Sequence, residues 1–174
     1  MPRNVEIKAR LTDPGTTRRL VSAAADGPAT PLEQADTFFR VASGRLKLRE
    51  FGDGTAELIH YERPDTTAPA GSRYAKAAVP DAAALRELLT AALGLRGRVV
   101  KRRLLFRVGR TRVHLDDVEG LGAFLELEVE MDEGESEAAG AEEARRLTRV
   151  FGIAEEALVA EAYVDLLERR ARDS

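Results

Sequence analysis

Apolar and polar residues alternate with a period of two along much of the chain, and that alternation predicts strands. They fall at VEIKARL (5–11), DTFFRVA (36–42), GRLKLREF (44–51), AELIHYER (56–63), SRYAKAAV (72–79), RVVKRRLLFRV (98–108), TRVHLDDV (111–118) and AFLELEVEM (123–131). Turn chemistry separates them: Ser43-Gly44, Gly52-Asp53-Gly54, Gly109-Arg110 and Glu119 to Gly122 predict antiparallel hairpins between several neighbours. Helical signals take the rest. Asp13-Pro14 reads as the N-cap and first position of a helix to about Ala25, and Asp81 caps AAALRELLTAAL, which Gly94 ends. From Ser136 to Arg170 the chain is rich in Ala, Glu, Leu and Arg and is broken by Gly152, which predicts two helices. PDTTAPAG (64–71) reads as a loose loop, and the chain carries no internal repeat.

The polar half of the alternation is charged to an unusual degree. Glu6, Lys8 and Arg10 share one parity, as do Arg45, Lys47 and Arg49, then Lys101, Arg103 and Arg107, then Arg112, His114 and Asp116, and finally Glu126, Glu128 and Glu130. Like charges in a column repel, so the carboxylates of FLELEVEMDE require something positive opposite them. Two arrangements hold such strands. An open antiparallel sheet leaves its charged face in water; a closed barrel turns the apolar faces outward to helices and the charged faces inward. Basic columns on some strands and acidic columns on others attract across a lumen, which favours closure. A lumen of this kind suits a polyanion accompanied by a divalent cation.

Composition narrows the function classes. With 174 residues, one domain spanning 1–174 is the expectation, with a core that needs no disulfide. Cysteine is absent, which excludes thiolate chemistry and suits a reducing cytoplasm. No apolar run approaches the ~20 residues that span a bilayer, and the first residues lack a signal peptide's apolar stretch. The net charge of −3, from 27 basic and 30 acidic residues, gives no global field for nucleic acid. The expectation is a soluble cytoplasmic protein with neither a membrane nor a nucleic-acid partner, as a monomer or a homodimer.

Several segments resemble one family from end to end. VEIKARL is similar to the Glu-x-Glu-x-Lys strand of the CYTH family, the triphosphate tunnel metalloenzymes, and LKLR (46–49) to its paired basic strand. HLDDVEGLGAFLELEVE (114–130), QADTFF (34–39) and EAYVDLL (161–167) resemble class IV adenylate cyclase-like members. The resemblance implies an α+β fold: an eight-stranded antiparallel β-barrel with helices packed on its outside. It further implies that Glu126 and Glu128 ligate Mg²⁺ or Mn²⁺, with Asp116 and Glu6 completing or orienting the site. Lys8, Lys47, Arg49, Arg63, Lys76, Lys101, Arg103 and Arg112 would grip phosphates, and Glu6, Lys8, Arg103 and Asp116 would form the catalytic set. Arg45, Arg107 and Glu130 read as rim residues, His60 as outward-facing, His114 as structural and Tyr163 as helix packing. The chain departs from the signature at Asn4, which stands where the family has its first Glu and weakens one metal position. Because the best-matching segments are most similar to class IV members, the leading expectation is conversion of ATP to cyclic AMP and pyrophosphate; the alternatives are hydrolysis of inorganic or thiamine triphosphate, and binding of a phosphoryl ligand without turnover.

Overall fold

A computed structural model describes residues 2–174. Its elements run β1 (Arg3–Arg10), α1 (Pro14–Ala24), β2 (Thr30–Phe39), β3 (Arg45–Phe51), β4 (Ala56–Glu62), β5 (Ala70–Ala78), α2 (Ala82–Leu93), β6 (Leu95–Val108), β7 (Thr111–Val118), β8 (Gly122–Glu130), α3 (Glu137–Val150) and α4 (Tyr163–Arg172). A single turn of 3-10 helix, Glu155–Ala157, lies between the last two helices. The eight strands close into an antiparallel barrel in the order β1-β5-β4-β3-β2-β6-β7-β8, so the α+β barrel expected from charge parity is the observed fold.

Local chemistry fixes the elements around the barrel. Asp13 accepts a hydrogen bond from Thr16 N at 3.0 Å and Pro14 occupies the first turn of α1. Asp81 does the same for α2 through Ala84 N, also at 3.0 Å, and Gly94 ends that helix at φ +83°. The outward faces of β1 and β8, carrying Val5, Ile7, Leu125, Leu127 and Val129, pack on Ala141, Ala144, Leu147 and Phe151 at α3. Burial of each such side chain contributes about 1.5–3 kcal/mol. Gly140 allows the close approach, since a Cβ there would collide with Val5 and Met131. A second apolar cluster joins Phe38, Val99, Val118 and Phe124 to Tyr163, Val164 and Leu166 of α4.

Boundaries differ from the expectation mainly at β2, which begins at Thr30 rather than Asp36 and ends at Phe39. Its first residues, Thr30 to Glu33, pair with β6 alone, and β3 joins only from Gln34. A proline is tolerated on such a one-sided stretch, so Pro31 does not stop the strand. β6 likewise starts earlier, at Leu95, where a register shift between Phe38 and Phe39 leaves Arg96 as the extra residue.

Candidate functional site

The inward residues of the barrel line one cavity of about 320 Å³. One wall is basic. β3, β2 and β6 are neighbours, and they bring Lys47, Arg49 and Lys101 onto a single carboxylate, Asp36. Arg49 forks onto both Asp36 oxygens at 2.7 Å, while Lys47 and Lys101 each reach Oδ2 at 3.1 Å. Asp36 is 1 % exposed. Burial pushes its carboxyl up, but Arg49, Lys101 and Lys47 outweigh burial and hold it well below the usual range. Burial pulls Lys101 down to about 7; Asp36 opposes that, and Arg49, Arg103 and Lys47 add to it.

The other wall is acidic, and it answers the question posed by the carboxylate column. Glu126 lies opposite Lys8 on β1 and His114 on β7, while Glu128 lies opposite Glu6 and Arg112. Lys8 Nζ stands 3.3 Å from Glu126 Oε1, and Arg112 Nε donates to Glu128 Oε2 at 2.9 Å. His114 Nδ1 is 3.7 Å from Glu126 Oε2 and 3.9 Å from Glu128 Oε1, buried and without a hydrogen-bond partner. Ligand atoms of His114, Glu126 and Glu128 all lie within 4.8 Å of one another. Burial raises the Glu126 carboxyl, yet Lys8, His114 and Arg103 together hold it well below its ordinary value. Glu6 goes the other way: burial and then Glu128 raise it to about 7, against Arg63, whose Nε lies 3.5 Å from Glu6 Oε2.

α4 closes one end. Tyr163 OH donates to Asp116 Oδ2 at 2.9 Å, its ring lies 4.1 Å from Lys8 Nζ, and Lys8 also donates to the Glu161 carbonyl at 3.1 Å. Arg45 joins Asp165 of α4 at 2.8 Å, and Arg96 joins Asp165 and Glu168.

Of the residues expected from sequence, Glu6, Lys8, Lys47, Arg49, Arg63, Lys101, Arg103, Arg112, Glu126 and Glu128 come together around this cavity. Lys76 stands at its margin, its side chain about half exposed and paired with Glu57 at 3.0 Å. Asp116 takes an orienting position: both its oxygens accept from Arg103 at 2.6 Å, and one also accepts from Tyr163. Arg107 and Glu130 pair at the exposed rim, whereas Arg45 is drawn inward to α4. Asn4 is buried beside Arg112; with its amide turned to suit its neighbours, its oxygen accepts from Arg112 Nη2 at 3.1 Å. Sequence reasoning missed Asp36, and it gave His114 and Tyr163 only structural parts. The available signal for Asp36 was a lone carboxylate in an apolar strand stretch, which must have a cationic partner when buried.

A closed antiparallel barrel with basic and acidic inner walls and a helix across one end defines the triphosphate tunnel fold. The chain matches the CYTH domain over residues 2–163 and belongs to that family. No curated protein matches it in sequence. Among solved structures it is similar to a protein of Pyrococcus horikoshii OT3, at 23 % identity and TM-score 0.83 over 94 % of this chain and 98 % of that one. It is similar to a candidate adenylate cyclase of Vibrio parahaemolyticus, at 19 % identity and TM-score 0.79 over 95 % and 97 % of the two chains. A third likeness is to a Hippeastrum adenylyl cyclase candidate described as having a dominant triphosphatase activity, at 16 % identity and TM-score 0.65 over 98 % and 96 %.

Proposed function

We propose that the protein is a divalent-metal-dependent enzyme that hydrolyses a triphosphate held along the tunnel. The observation that carries this reading is the opposition of two walls in one cavity, Lys47, Arg49 and Lys101 against His114, Glu126 and Glu128. The basic wall suits a chain of phosphate oxygens in both charge and hydrogen-bond direction. The acidic wall suits a cation, because the buried His114 Nδ1 has no partner and points at two carboxylates. Glu126, Glu128 and His114 would hold it, with Glu6 beside them; carboxylate oxygens favour Mg²⁺ or Mn²⁺. Such a cation, when bound, supplies charge neutralisation and Lewis-acid polarisation of the phosphoryl group.

The chain's own groups supply the rest. Lys47, Arg49 and Lys101 bind and align the phosphates. Lys8 and Arg103, both on Glu126, stand between the walls and offset charge developing on the leaving oxygen. Glu6, which lines the cavity beside the cation position, would take the proton from an attacking water. Tyr163 and α4 exclude bulk water from the closed end.

A second reading has its own observation. Leu32, Phe51 and Leu105 lie on adjacent strands and line the end of the cavity opposite α4. That apolar band suits an organic group beyond the phosphates, such as a purine, and ATP so placed would cyclise by in-line attack of its 3′-hydroxyl.

The test incubates the protein with ATP, inorganic triphosphate or thiamine triphosphate and Mg²⁺ or Mn²⁺, measuring orthophosphate, pyrophosphate and cyclic AMP. Orthophosphate is expected. Cyclic AMP would replace the first reading with the second, binding without product would leave a phosphoryl-ligand binding protein, and neither binding nor turnover would reject all three. Glu128→Gln is expected to weaken the metal by upwards of about tenfold and to abolish turnover with the barrel intact by circular dichroism. Unchanged metal dependence would remove Glu128 from the ligand set.

A further inference from the structure

Asp36 is the most buried charge of the tunnel's basic wall, and it sits on the middle strand of three. Its two oxygens receive Arg49 twice, Lys47 once and Lys101 once, so a single carboxylate stands at the convergence of three cations from the strands on either side. Oδ1 takes one Arg49 N–H, while Oδ2 takes Arg49 and Lys101 with Lys47 in ion-pair contact, and the three cations leave the carboxylate 1 % exposed. Among the described residues no other carboxylate lies within ion-pair distance of Lys47, Arg49 or Lys101.

We infer that Asp36 is the positioning residue of the phosphate grip, setting Lys47, Arg49 and Lys101 as one unit that engages a triphosphate without itself touching it. The inference rests on the triphosphate reading of the tunnel. Three cations in a buried wall repel one another, and without a fixed counter-charge each turns toward a different partner. Bound through Asp36, they keep the spacing of one carboxylate and present their remaining N–H donors to the cavity. Preorganisation of this kind lowers the ordering cost when an anion arrives.

Lys101 makes the role measurable. Facing it are Asp36 on β2, Lys47 and Arg49 on β3, Arg103 on its own strand, Asp116 on β7 and the Tyr163 ring 5.6 Å away on α4. Burial and the three neighbouring cations lower its ammonium group, and Asp36 is the foremost influence in the opposite direction. Removal of the Asp36 charge therefore leaves Lys101 neutral at a lower pH than in the native protein, and the grip loses a cation as well as its geometry.

The experiment titrates metal-free protein with inorganic triphosphate by calorimetry from pH 6 to 9, alongside Asp36→Asn, Asp36→Glu and Lys101→Met. In the native protein, affinity falls as pH rises through about 7 and binding takes up a proton. Asp36→Asn is expected to bind about tenfold or more weakly at pH 7.5, as loss of a charge-assisted contact implies, with the fall in affinity displaced to lower pH. A defect confined to folding would lower the melting temperature and leave the position of that fall unchanged. Lys101→Met should bind weakly and lose Lys101's share of the step near pH 7, leaving the smaller share that belongs to Glu6. Asp36→Glu keeps the charge and moves it, so it should preserve the pH step while weakening binding; it also carries the test if the Asn variant does not fold. Nζ titration of Lys101 by NMR in the ligand-free protein gives a readout independent of substrate, and it should move down in Asp36→Asn. Native affinity together with a native pH profile in Asp36→Asn would overturn the inference. Failure of the native protein to bind triphosphate would instead reject the functional reading, with the NMR titration still deciding whether Asp36 holds Lys101 charged.

Discussion

Glu6 and Lys101 carry the two opposite costs of burying charge, and their pH windows meet. The Glu6 carboxyl stands at about 7 against an ordinary 4.5, so between those values the folded protein holds more protons than the unfolded chain and stability falls as pH rises. Lys101 stands at about 7 against 10.5, so the unfolded chain holds more protons in that interval and stability recovers as pH rises through it. The metal-free, anion-free protein should accordingly show a dip in melting temperature near pH 7. Glu6→Gln should flatten the descending limb and Lys101→Met the ascending one; a profile unchanged by both variants would contradict the assignment. Asp36 and Glu126 act elsewhere, since their depressed carboxyls stabilise above the ordinary carboxylate range and lose that effect on acidification. At this scale the sequence was readable wherever charge parity ran unbroken, as in Lys47 with Arg49 or Glu126 with Glu128. It was unreadable where one charge serves several strands. Asp36 gathers cations from β3 and β6, and neither pairing leaves a mark in the local alternation.

The element that shapes the site most is α4. Its Arg, Asp and Glu residues read as an ordinary solvated helix, but Tyr163, Val164 and Leu166 enter the end of the barrel and Asp165 is taken by Arg45 and Arg96. Helical spacing correctly placed Tyr163 beside apolar neighbours; its hydroxyl on Asp116 and its ring under Lys8 depend on which barrel end the helix reaches, a tertiary fact. Tyr163→Phe should cost about 1 kcal/mol, the net worth of one hydrogen bond, and leave the Lys8–ring contact in place. Tyr163→Ala should cost about 3–5 kcal/mol, because a buried ring is replaced by a cavity. Denaturant unfolding of both variants measures the difference, and equal losses would mean that the ring contributes no packing. β2 teaches a related lesson: Pro31 reads as a breaker, yet barrel closure gives the first part of the strand one neighbour only, where the missing N–H goes unneeded.

At the scale of the molecule, closure turns an unfavourable sequence of charged strands into mutually compensating walls, and the same closure makes its seams unequal. β2 and β6 pair through ten residues and β1 and β8 through seven, whereas β1 and β5 pair through four, Arg3 to Glu6 against Ala70 to Arg73. The shortest seam should open first, so amides of Arg3 to Glu6 should exchange with deuterium faster than those of β8 opposite them. Beside this seam stand Glu6 on β1 and Arg63, just past β4, the latter with buried Nε and Nη2 lacking hydrogen-bond partners. An anion that bridges Arg63 and Lys8 would tie β1 to the end of β4 across the intervening β5 and act as a clasp over the seam. Deuterium uptake along the seam should then slow when inorganic triphosphate is added, more than at β2 or β6, and uptake that is indifferent to the anion would show that the two edges are held without it. In this barrel the ligand would serve as the missing rungs of the sheet, completing by charge the ring that the backbone closes least firmly.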